Sequence, residues 1–165
     1  LDIVDQYQGI TIQSKSGHAF IKDVMREHNA VYGGEMSAHH YFRDFAYCDS
    51  GMIPWLLAIS VLSETGQSLS SLVEDMITKF PCSGEINFKV ADTKATIQKL
   101  FDHFADQEPE IDRTDGVSLD FGTWRFNIRA SNTEPLLRLN IESRLDQNPE
   151  PMHTYVNELT QLIQN

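Results

Sequence analysis

The chain has 165 residues, enough for one ordinary domain or two small ones, and its composition excludes several classes of protein. Apolar residues make up 41% and charged residues 22%, which is typical of a folded chain rather than a disordered one. Thirteen Lys and Arg against 24 Asp and Glu give a net charge of −11, so the chain lacks the basic surface of a general nucleic-acid binder.

The apolar stretches and the cysteines argue against a membrane or a secreted protein. The longest largely apolar stretch, 52–62, is too short to cross a bilayer and contains Pro54, so we expect a buried core helix there. No apolar block resembling a secretory signal lies near the start, and Cys48 and Cys82 stand alone, without metal-ligand spacing. We therefore predict a cytoplasmic protein. Because the chain begins with Leu1 rather than Met, we also expect it to be a piece of a longer polypeptide.

The first half of the chain alternates between extended and helical patterns, which is typical of an α/β domain. Hydrophobic residues at helical spacing indicate the helices, and glycine or proline indicates where elements end. In chain order we expect an extended run 8–13, a helix around 20–25, a strand 30–32, an almost entirely apolar helix 51–64, and a helix that Ser68 caps and Pro81 ends.

The second half has a different pattern. Its last two predicted strands alternate apolar with polar residues, which indicates an antiparallel sheet with one buried face. We predict an α/β partial domain over 1–80, with the boundary near Phe80 to Ser83, and an α+β domain over 81–165 whose two helices pack on one face of the sheet. Its elements are a strand 86–90, a helix around 97–104, runs 111–113 and 117–121 joined by the turn Asp115-Gly116, strands 124–129 and 137–142, and a final helix 152–163.

The loop 33–40 is a candidate binding site. Its paired glycines allow a close backbone approach, and in extended backbone Glu35, Ser37 and His39 point to the same side. A carboxylate beside a hydroxyl suits neighbouring sugar hydroxyls, and His39 is placed to donate to a sugar or phosphate oxygen. The alternative is an ordinary glycine-rich turn with a solvated Glu35. A metal site at His39-His40 is rejected, because adjacent strand positions diverge and no third ligand lies nearby.

The loop 129–135 is a second candidate. A guanidinium, two hydroxyls and an amide occur within five residues, and a phosphate needs donors from several sides. The alternative is a polar hairpin loop in which Arg129 pairs with Glu134.

Other features are weaker. His18 lies where a strand leads into a helix, and Asp49 is expected to cap the helix that begins near Gly51. Nothing resembles a Ser-His-Asp or Cys-His nucleophile, a P-loop or a dinucleotide-binding turn, so we assign no catalytic residue to this chain.

At the two loops the sequence resembles the α-D-phosphohexomutase family, most closely its bacterial phosphomannomutases. The resemblance covers nearly the whole chain and corresponds to the later part of the family's third domain and all of its fourth. The segments that carry it are GGEMSAHHYF (33–42), DSG (49–51), GEIN (84–87), DRTDG (112–116) and RASNTEPLLRLNIE (129–142).

The resemblance implies roles for eight residues. Glu35 and Ser37 would bind sugar hydroxyls, and His39 and His18 would line the active-site cleft. The phosphate that is not transferred would be held by Arg129, Ser131, Asn132 and Thr133. Ala38 stands where the family more often has glycine, and we expect the loop to tolerate the extra methyl group.

The resemblance also implies what this chain lacks. The family's phosphoserine loop and its magnesium loop do not occur in the sequence, so we expect the isolated chain to be inactive. Mg²⁺ and hexose 1,6-bisphosphate, as intermediate or activator, would belong to the full-length enzyme. The implied partners are a phosphosugar substrate and the N-terminal domains of the same polypeptide, with no nucleic acid and no membrane.

The implied activity is interconversion of mannose 6-phosphate and mannose 1-phosphate, which supplies GDP-mannose and surface polysaccharide. Two alternatives stay open at this point. One is a dual phosphoglucomutase/phosphomannomutase, because Glu35 and Ser37 would contact hydroxyls common to both sugars. The other is a non-catalytic phosphosugar-binding module.

Overall fold

The computed structural model describes residues 2–131, 136–144 and 150–165. The chain divides into two compact units, Leu1–Gln67 and Ser68–Asn165. The helix after Ser68 belongs to the second unit. The domain boundary predicted from the sequence pattern, near Phe80 to Ser83, lies at the end of that helix. That boundary stays a prediction.

The first unit is built around a small antiparallel sheet in the order β1-β2-β3. Tyr41, in the middle strand, is fully buried and packs with Ile21 and Met25 of the preceding amphipathic helix. The elements of this unit are α1 (Asp2–Gln6), α2 (His18–Glu27), β1 (Tyr32–Gly34), β2 (His40–Phe42), β3 (Cys48–Asp49) and α3 (Met52–Thr65).

A glycine lets α2 lie close to the sheet. A Cβ atom at Gly33 would come within 2.8 Å of the Met25 sulfur and 3.1 Å of Ile21 Cγ2. The first of the paired glycines is therefore needed for the close approach of helix and strand, as expected for glycine at such a point.

Two expectations for this unit are wrong: the strand over 8–13 and the burial of the apolar helix. The run 8–13 is not a strand, and all its residues are exposed. An extended run becomes a strand only when it pairs with another, and the residues described here offer it no partner.

Helix α3 forms where predicted, with Pro54 in its first turn, but none of its described residues is buried. Six of its large hydrophobic side chains are 44–62% exposed. A helix that is apolar on every side is buried only where other elements surround it. The three short strands and α2 are too small to do so.

The second unit is a five-stranded antiparallel sheet in the order β4-β8-β7-β6-β5. The predicted fold class, with its antiparallel sheet and two helices on one face, is confirmed. The elements are α4 (Leu69–Lys79), β4 (Ile86–Phe88), α5 (Thr93–Phe104), β5 (Glu110–Asp112), β6 (Val117–Asp120), β7 (Trp124–Ala130), β8 (Leu137–Ser143) and α6 (Met152–Gln164).

The core of this unit follows from the alternation in β7 and β8. Phe126 and Ile128 of β7 pair with Ile141 and Leu139 of β8, and all four side chains are fully buried. Helices α5 and α6 cover that face with the buried side chains Leu100, Phe104, Tyr155, Leu159 and Ile163.

The helix starts follow the sequence as well. Ser68 caps α4 as predicted, accepting a hydrogen bond from the Ser71 N–H at 3.2 Å. Asp92 caps α5 by accepting hydrogen bonds from the N–H groups of Lys94 and Ala95.

In the parts of the chain that the structure describes, no single helix is long and apolar enough to cross a membrane. Helices α3 and α4 reach that length and composition only when they are joined across the break between them.

Candidate functional site

The loop between β1 and β2 is a tight turn, not the extended backbone predicted from the sequence. The register Gly34↔His40 closes the hairpin, the Glu35 N–H donates to the His39 carbonyl at 3.0 Å, and the Ala38 N–H donates to the Glu35 carbonyl at 3.0 Å. The simple alternation that put Glu35, Ser37 and His39 on one side therefore does not apply. Ser37 is exposed on the turn.

Ala38 adopts a backbone conformation that favours glycine. Its φ is 63°, in the left-handed region, where a Cβ atom is crowded by the neighbouring carbonyl. The loop holds the Ala38 methyl group in a conformation that costs on the order of 1 kcal/mol.

The Glu35 carboxylate is held by two donors from different elements. The Tyr41 hydroxyl donates to Oε1 at 2.5 Å, and the backbone N–H of Gly17, just before α2, donates to Oε2 at 3.2 Å. Burial, followed by the hydrogen bond to Glu35, raises the pKa of the Tyr41 hydroxyl, which keeps it a donor. Each carboxylate oxygen keeps a lone pair that is free to accept from a ligand hydroxyl.

The His39 ring is held by a residue on β3. Its Nδ1 lies 2.7 Å from Asp49 Oδ2, and the backbone N–H of His40 donates to Asp49 Oδ1 at 2.9 Å. The hydrogen bond from His39, followed by that from His40, keeps the pKa of the Asp49 carboxyl below its usual range.

The expectation that Asp49 caps α3 is therefore wrong. Both carboxylate oxygens are turned toward β2, and it is the Ser50 hydroxyl that accepts from the Ile53 N–H in the first turn of the helix, at 3.3 Å.

His18 joins the same cluster from α2, of which it is the first residue. Its ring lies edge-on to the His39 ring with centroids 4.7 Å apart, and edge-on to the Tyr41 ring at 5.5 Å. Three of the four residues expected to contact the sugar, Glu35, His39 and His18, thus converge, whereas Ser37 lies exposed on the turn. We call Glu35, His39, His18, Tyr41 and Asp49 the hairpin cluster.

Two members of the hairpin cluster were not identified from the sequence as its components. A tyrosine in a short strand reads as core, and only its full burial shows that its hydroxyl needs a partner. Asp49 is ten residues from His39, and the pairing of β2 with β3 brings the two together. Neither contact is indicated in the sequence by a pattern at helical or strand spacing.

The cluster offers hydrogen-bond acceptors and imidazole rings to a ligand but no metal site. Within 2–131, 136–144 and 150–165, no group of three His, Cys, Asp or Glu side chains is arranged to hold a metal ion. The chemistry available here is recognition of hydroxyl groups and exchange of protons with them.

The second candidate site begins at the end of β7. Arg129 faces two carboxylates: its Nη1 lies 3.5 Å from Asp115 Oδ2, and its Nη2 lies 3.9 Å from Glu85 Oε2. Arg138 lies directly opposite on β8, with Nη1 3.5 Å from the same Glu85 oxygen. Glu85 thus stands between two guanidinium groups whose repulsion would otherwise destabilise the strand pair.

Of the four predicted phosphate ligands, the structure describes two. Arg129 lies in β7, and Ser131 follows it, its N–H donating to the Leu136 carbonyl at 2.8 Å. Asn132 and Thr133 lie outside the described residues, as does Glu134, the partner that the alternative interpretation gave to Arg129.

A glycine turn holds Asp115 close to Arg129. Gly116 has φ 74°, and a Cβ atom there would come within 2.6 Å of the Ile128 carbonyl oxygen and 2.5 Å of Arg129 Cβ. The predicted Asp115-Gly116 turn is therefore both left-handed and tightly packed, so that only glycine fits.

Comparison with known proteins agrees with this picture. The family model described as "Phosphoglucomutase/phosphomannomutase, alpha/beta/alpha domain III" matches residues 1–80, and that described as "Phosphoglucomutase/phosphomannomutase, C-terminal domain" matches residues 85–149. A crystal structure of a phosphoglucomutase/phosphomannomutase family protein from Burkholderia thailandensis has a TM-score of 0.71 and 22% identity, covering 97% of this chain and 33% of that one. That structure supports the fold.

Curated relatives are much more similar in sequence. "Phosphohexose mutases" of Xanthomonas campestris pv. campestris (strain B100) is 64% identical over 146 residues, 88% of this chain and 33% of the relative. "Phosphomannomutase" of Vibrio cholerae serotype O1 is 54% identical over 164 residues, 99% of this chain and 35% of the relative. The chain thus spans about a third of the length of the relatives it matches. From its two matched domains and its fold, the chain belongs to the phosphoglucomutase/phosphomannomutase family.

Proposed function

We propose that these 165 residues are the sugar-binding and phosphate-binding part of a phosphomannomutase that interconverts mannose 6-phosphate and mannose 1-phosphate. The observation that carries this proposal is the convergence of Glu35, His39 and His18 in one cluster. It occurs in a chain 54% identical to a protein named phosphomannomutase.

The hairpin cluster supports recognition of a sugar. With Tyr41 and Gly17 each donating to one oxygen of Glu35, the carboxylate is fixed while both oxygens keep lone pairs for ligand hydroxyls. Two neighbouring hydroxyls of a hexose match this arrangement. Ser37, exposed on the same turn, would add a further contact after the ligand binds.

The loop after β7 supports recognition of a phosphate. Arg129 presents a planar fork of donors, and Ser131, Asn132 and Thr133 would complete the grip. Each hydrogen bond to a charged group contributes roughly 1.5–3 kcal/mol. Charges beyond roughly 8 Å are largely screened in physiological salt, so the net charge of −11 matters less here than Asp115 and Glu85, which lie within 4 Å of Arg129 and with which a phosphate must compete.

The division of labour suits a mutase. To phosphorylate either end of one sugar, such an enzyme must hold that sugar in two opposite orientations, so it needs contacts far from the reacting oxygen. Binding of this remote kind orients the substrate and lowers the entropic part of the barrier.

The transfer itself is assigned to other parts of the polypeptide. Among the described residues, no group of side chains is arranged to hold a metal ion. In a phosphoryl transfer, Mg²⁺ neutralises charge on the transferred group. We place the Mg²⁺ site and the phosphoserine outside these 165 residues. We therefore expect the 165 residues by themselves to be inactive.

The proposal is tested by separating binding from turnover. NMR shift changes should show that the 165-residue chain binds mannose 1-phosphate, with no conversion to mannose 6-phosphate. The complete mutase polypeptide that contains it should convert one into the other. Failure of the complete polypeptide to convert mannose 1-phosphate would refute the function.

A substitution tests the role given to Glu35. In Glu35→Gln, binding of mannose 1-phosphate should weaken while binding of inorganic phosphate stays unchanged, because only the sugar needs the carboxylate. The matched control is Glu27→Gln, which removes an exposed carboxylate from the same unit. Equal losses for both ligands would contradict the division between sugar and phosphate contacts.

A second candidate function is a dual hexose mutase. The observation in its favour is the 64% identity with a protein named "Phosphohexose mutases". The kcat/KM values of the complete polypeptide for mannose 1-phosphate and glucose 1-phosphate distinguish the two. Comparable values favour the dual enzyme, and a strong preference for mannose 1-phosphate favours the phosphomannomutase.

A further inference from the structure

We infer that Asp49 is a positioning residue of the proposed sugar site, which holds the His39 ring in the Nδ1–H tautomer so that Nε2 is presented as a hydrogen-bond acceptor. The inference rests on the proposed function for its consequence in catalysis. The tautomer itself is a property of the chain without any ligand.

The contacts of Asp49 leave little choice about where the protons lie. Oδ2 faces His39 Nδ1 at 2.7 Å, and Oδ1 accepts the backbone N–H of His40 at 2.9 Å. An ionised carboxylate only accepts, so the proton in the contact with His39 is on Nδ1. The lowered pKa of Asp49 agrees with an ionised group at neutral pH.

In a neutral imidazole one nitrogen carries the proton and the other accepts. With the proton on Nδ1, Nε2 is the acceptor, and it is suited to a hydroxyl proton of a bound sugar. The His39 side chain is 41% exposed, so a ligand has access to the ring.

The surroundings of the ring fix its orientation as well. Asp49 reaches it from β3, and His18 packs edge-on against it from the start of α2. The other titratable groups of the cluster are Tyr41 of β2, whose ring lies against His18, and Glu35, which accepts from the Tyr41 hydroxyl. His39 is thus held from two elements, and the groups that hold it are tied to the rest of the hairpin cluster.

A single substitution should reverse the tautomer. In Asp49→Asn the backbone N–H of His40 still needs an acceptor, so the amide oxygen turns toward His40 and the amide NH₂ toward His39. An NH₂ group donates, so His39 Nδ1 must accept, and the proton moves to Nε2. A ring in that tautomer offers a donor where the wild type offers an acceptor. For a catalytic histidine held by an aspartate, this kind of change is severe.

The test reads the tautomer directly. In the 165-residue chain labelled with ¹⁵N-histidine, the ring nitrogens of neutral His39 should show the Nδ1–H form, and those of Asp49→Asn should show the Nε2–H form. Asp44→Asn is the matched control, because it removes an exposed carboxylate from the same unit and should leave the spectrum unchanged. A wild-type chain with His39 in the Nε2–H form would overturn the inference, even if the Asn variant failed to fold.

A kinetic test separates this inference from the proposed function. In the complete mutase polypeptide, Asp49→Asn should lower kcat at least about tenfold with KM within about threefold, because orientation of a proton acceptor acts on the chemical step. If the wild type shows no turnover, the proposed function fails and the NMR result alone decides the tautomer. If the wild type is active and the variant has the same kcat, the positioning role is wrong.

Discussion

Among the described residues, the second unit buries fourteen hydrophobic side chains in one cluster, whereas the first buries three. The second unit is held by area removed from water across a whole sheet face. In the first, hydrogen bonds join Tyr41 to Glu35 and His39 to Asp49, and the His18 ring packs edge-on against the His39 and Tyr41 rings. We therefore expect the second unit to tolerate surface substitutions as long as its core is intact, whereas the first depends on individual polar contacts.

The largest effect is expected from the core of the second unit. Phe126→Ala removes a fully buried ring from β7 and should lower the free energy of unfolding by about 3–5 kcal/mol. Urea denaturation followed by circular dichroism measures it. The matched control is Phe45→Ala, whose side chain is 51% exposed in the first unit and should cost far less. Similar losses in both variants would break the contrast between the units.

The next effect concerns binding rather than folding. Arg129→Ala should reduce affinity for mannose 1-phosphate by at least about tenfold, since a charge-assisted contact is lost. Arg125→Ala, on the same strand and paired with Glu142, is the matched control and should leave affinity unchanged. Titration followed by NMR gives both values. Unchanged binding in Arg129→Ala would remove the phosphate site from the second unit.

A smaller effect is expected in the turn of the first unit. Ala38→Gly relieves a left-handed backbone conformation and should raise the free energy of unfolding by up to about 1 kcal/mol. Ala30→Gly, at a position without positive φ, should instead be neutral or destabilising. Thermal unfolding compares the two. A destabilised Ala38→Gly would show that the turn is held by something other than backbone geometry.

The smallest effect is a shift of stability with pH that both units should share. Hydrogen bonds hold the pKa values of Asp49 and Asp112 below their usual range. For Asp112, the main donors are the Thr114 hydroxyl and the Thr114 N–H. The unfolded chain therefore takes up protons at a higher pH than the folded one. The stabilisation is complete above about pH 4 and is lost as the pH falls through the lower folded values.

Urea midpoints at about pH 6 and about pH 3 check this, with Asp112→Asn expected to show a smaller difference than the wild type. Asp44→Asn, an exposed carboxylate, is the control. An equal difference in wild type and Asp112→Asn would mean that other carboxyl groups dominate the acid response.

The sequence predicts the second unit better than the first for a physical reason. In β7 and β8, alternation over seven residues in each strand fixes which face is buried, and the sheet then follows from pairing. In the first unit the strands have two or three residues, too few for a pattern to decide. The run 8–13 shows the same limit, because strand formation depends on a partner that composition does not reveal.

The residues of the candidate site likewise differ in how well the sequence predicts them. Residue types at close spacing single out Glu35, His39 and Arg129 as candidates, since a carboxylate, an imidazole or a guanidinium indicates its own chemistry. The neighbours of Asp49 in sequence favour a role as helix cap. Its real partners come from strand pairing, and a local rule has no access to contacts of that kind.

The two tryptophans give each unit its own optical signal. Trp55 on α3 is 54% exposed and should emit at the long wavelengths of an indole in water, whereas Trp124 is 8% exposed and stacked between Phe121 and Tyr155, with centroids 4.4 and 4.1 Å away. Emission from Trp124 should therefore lie further to the blue. In the fluorescence of the unlabelled chain, melting of the sheet should thus change mainly the blue side of the emission and rearrangement around the apolar helix mainly the red side, and Trp55→Phe isolates the former.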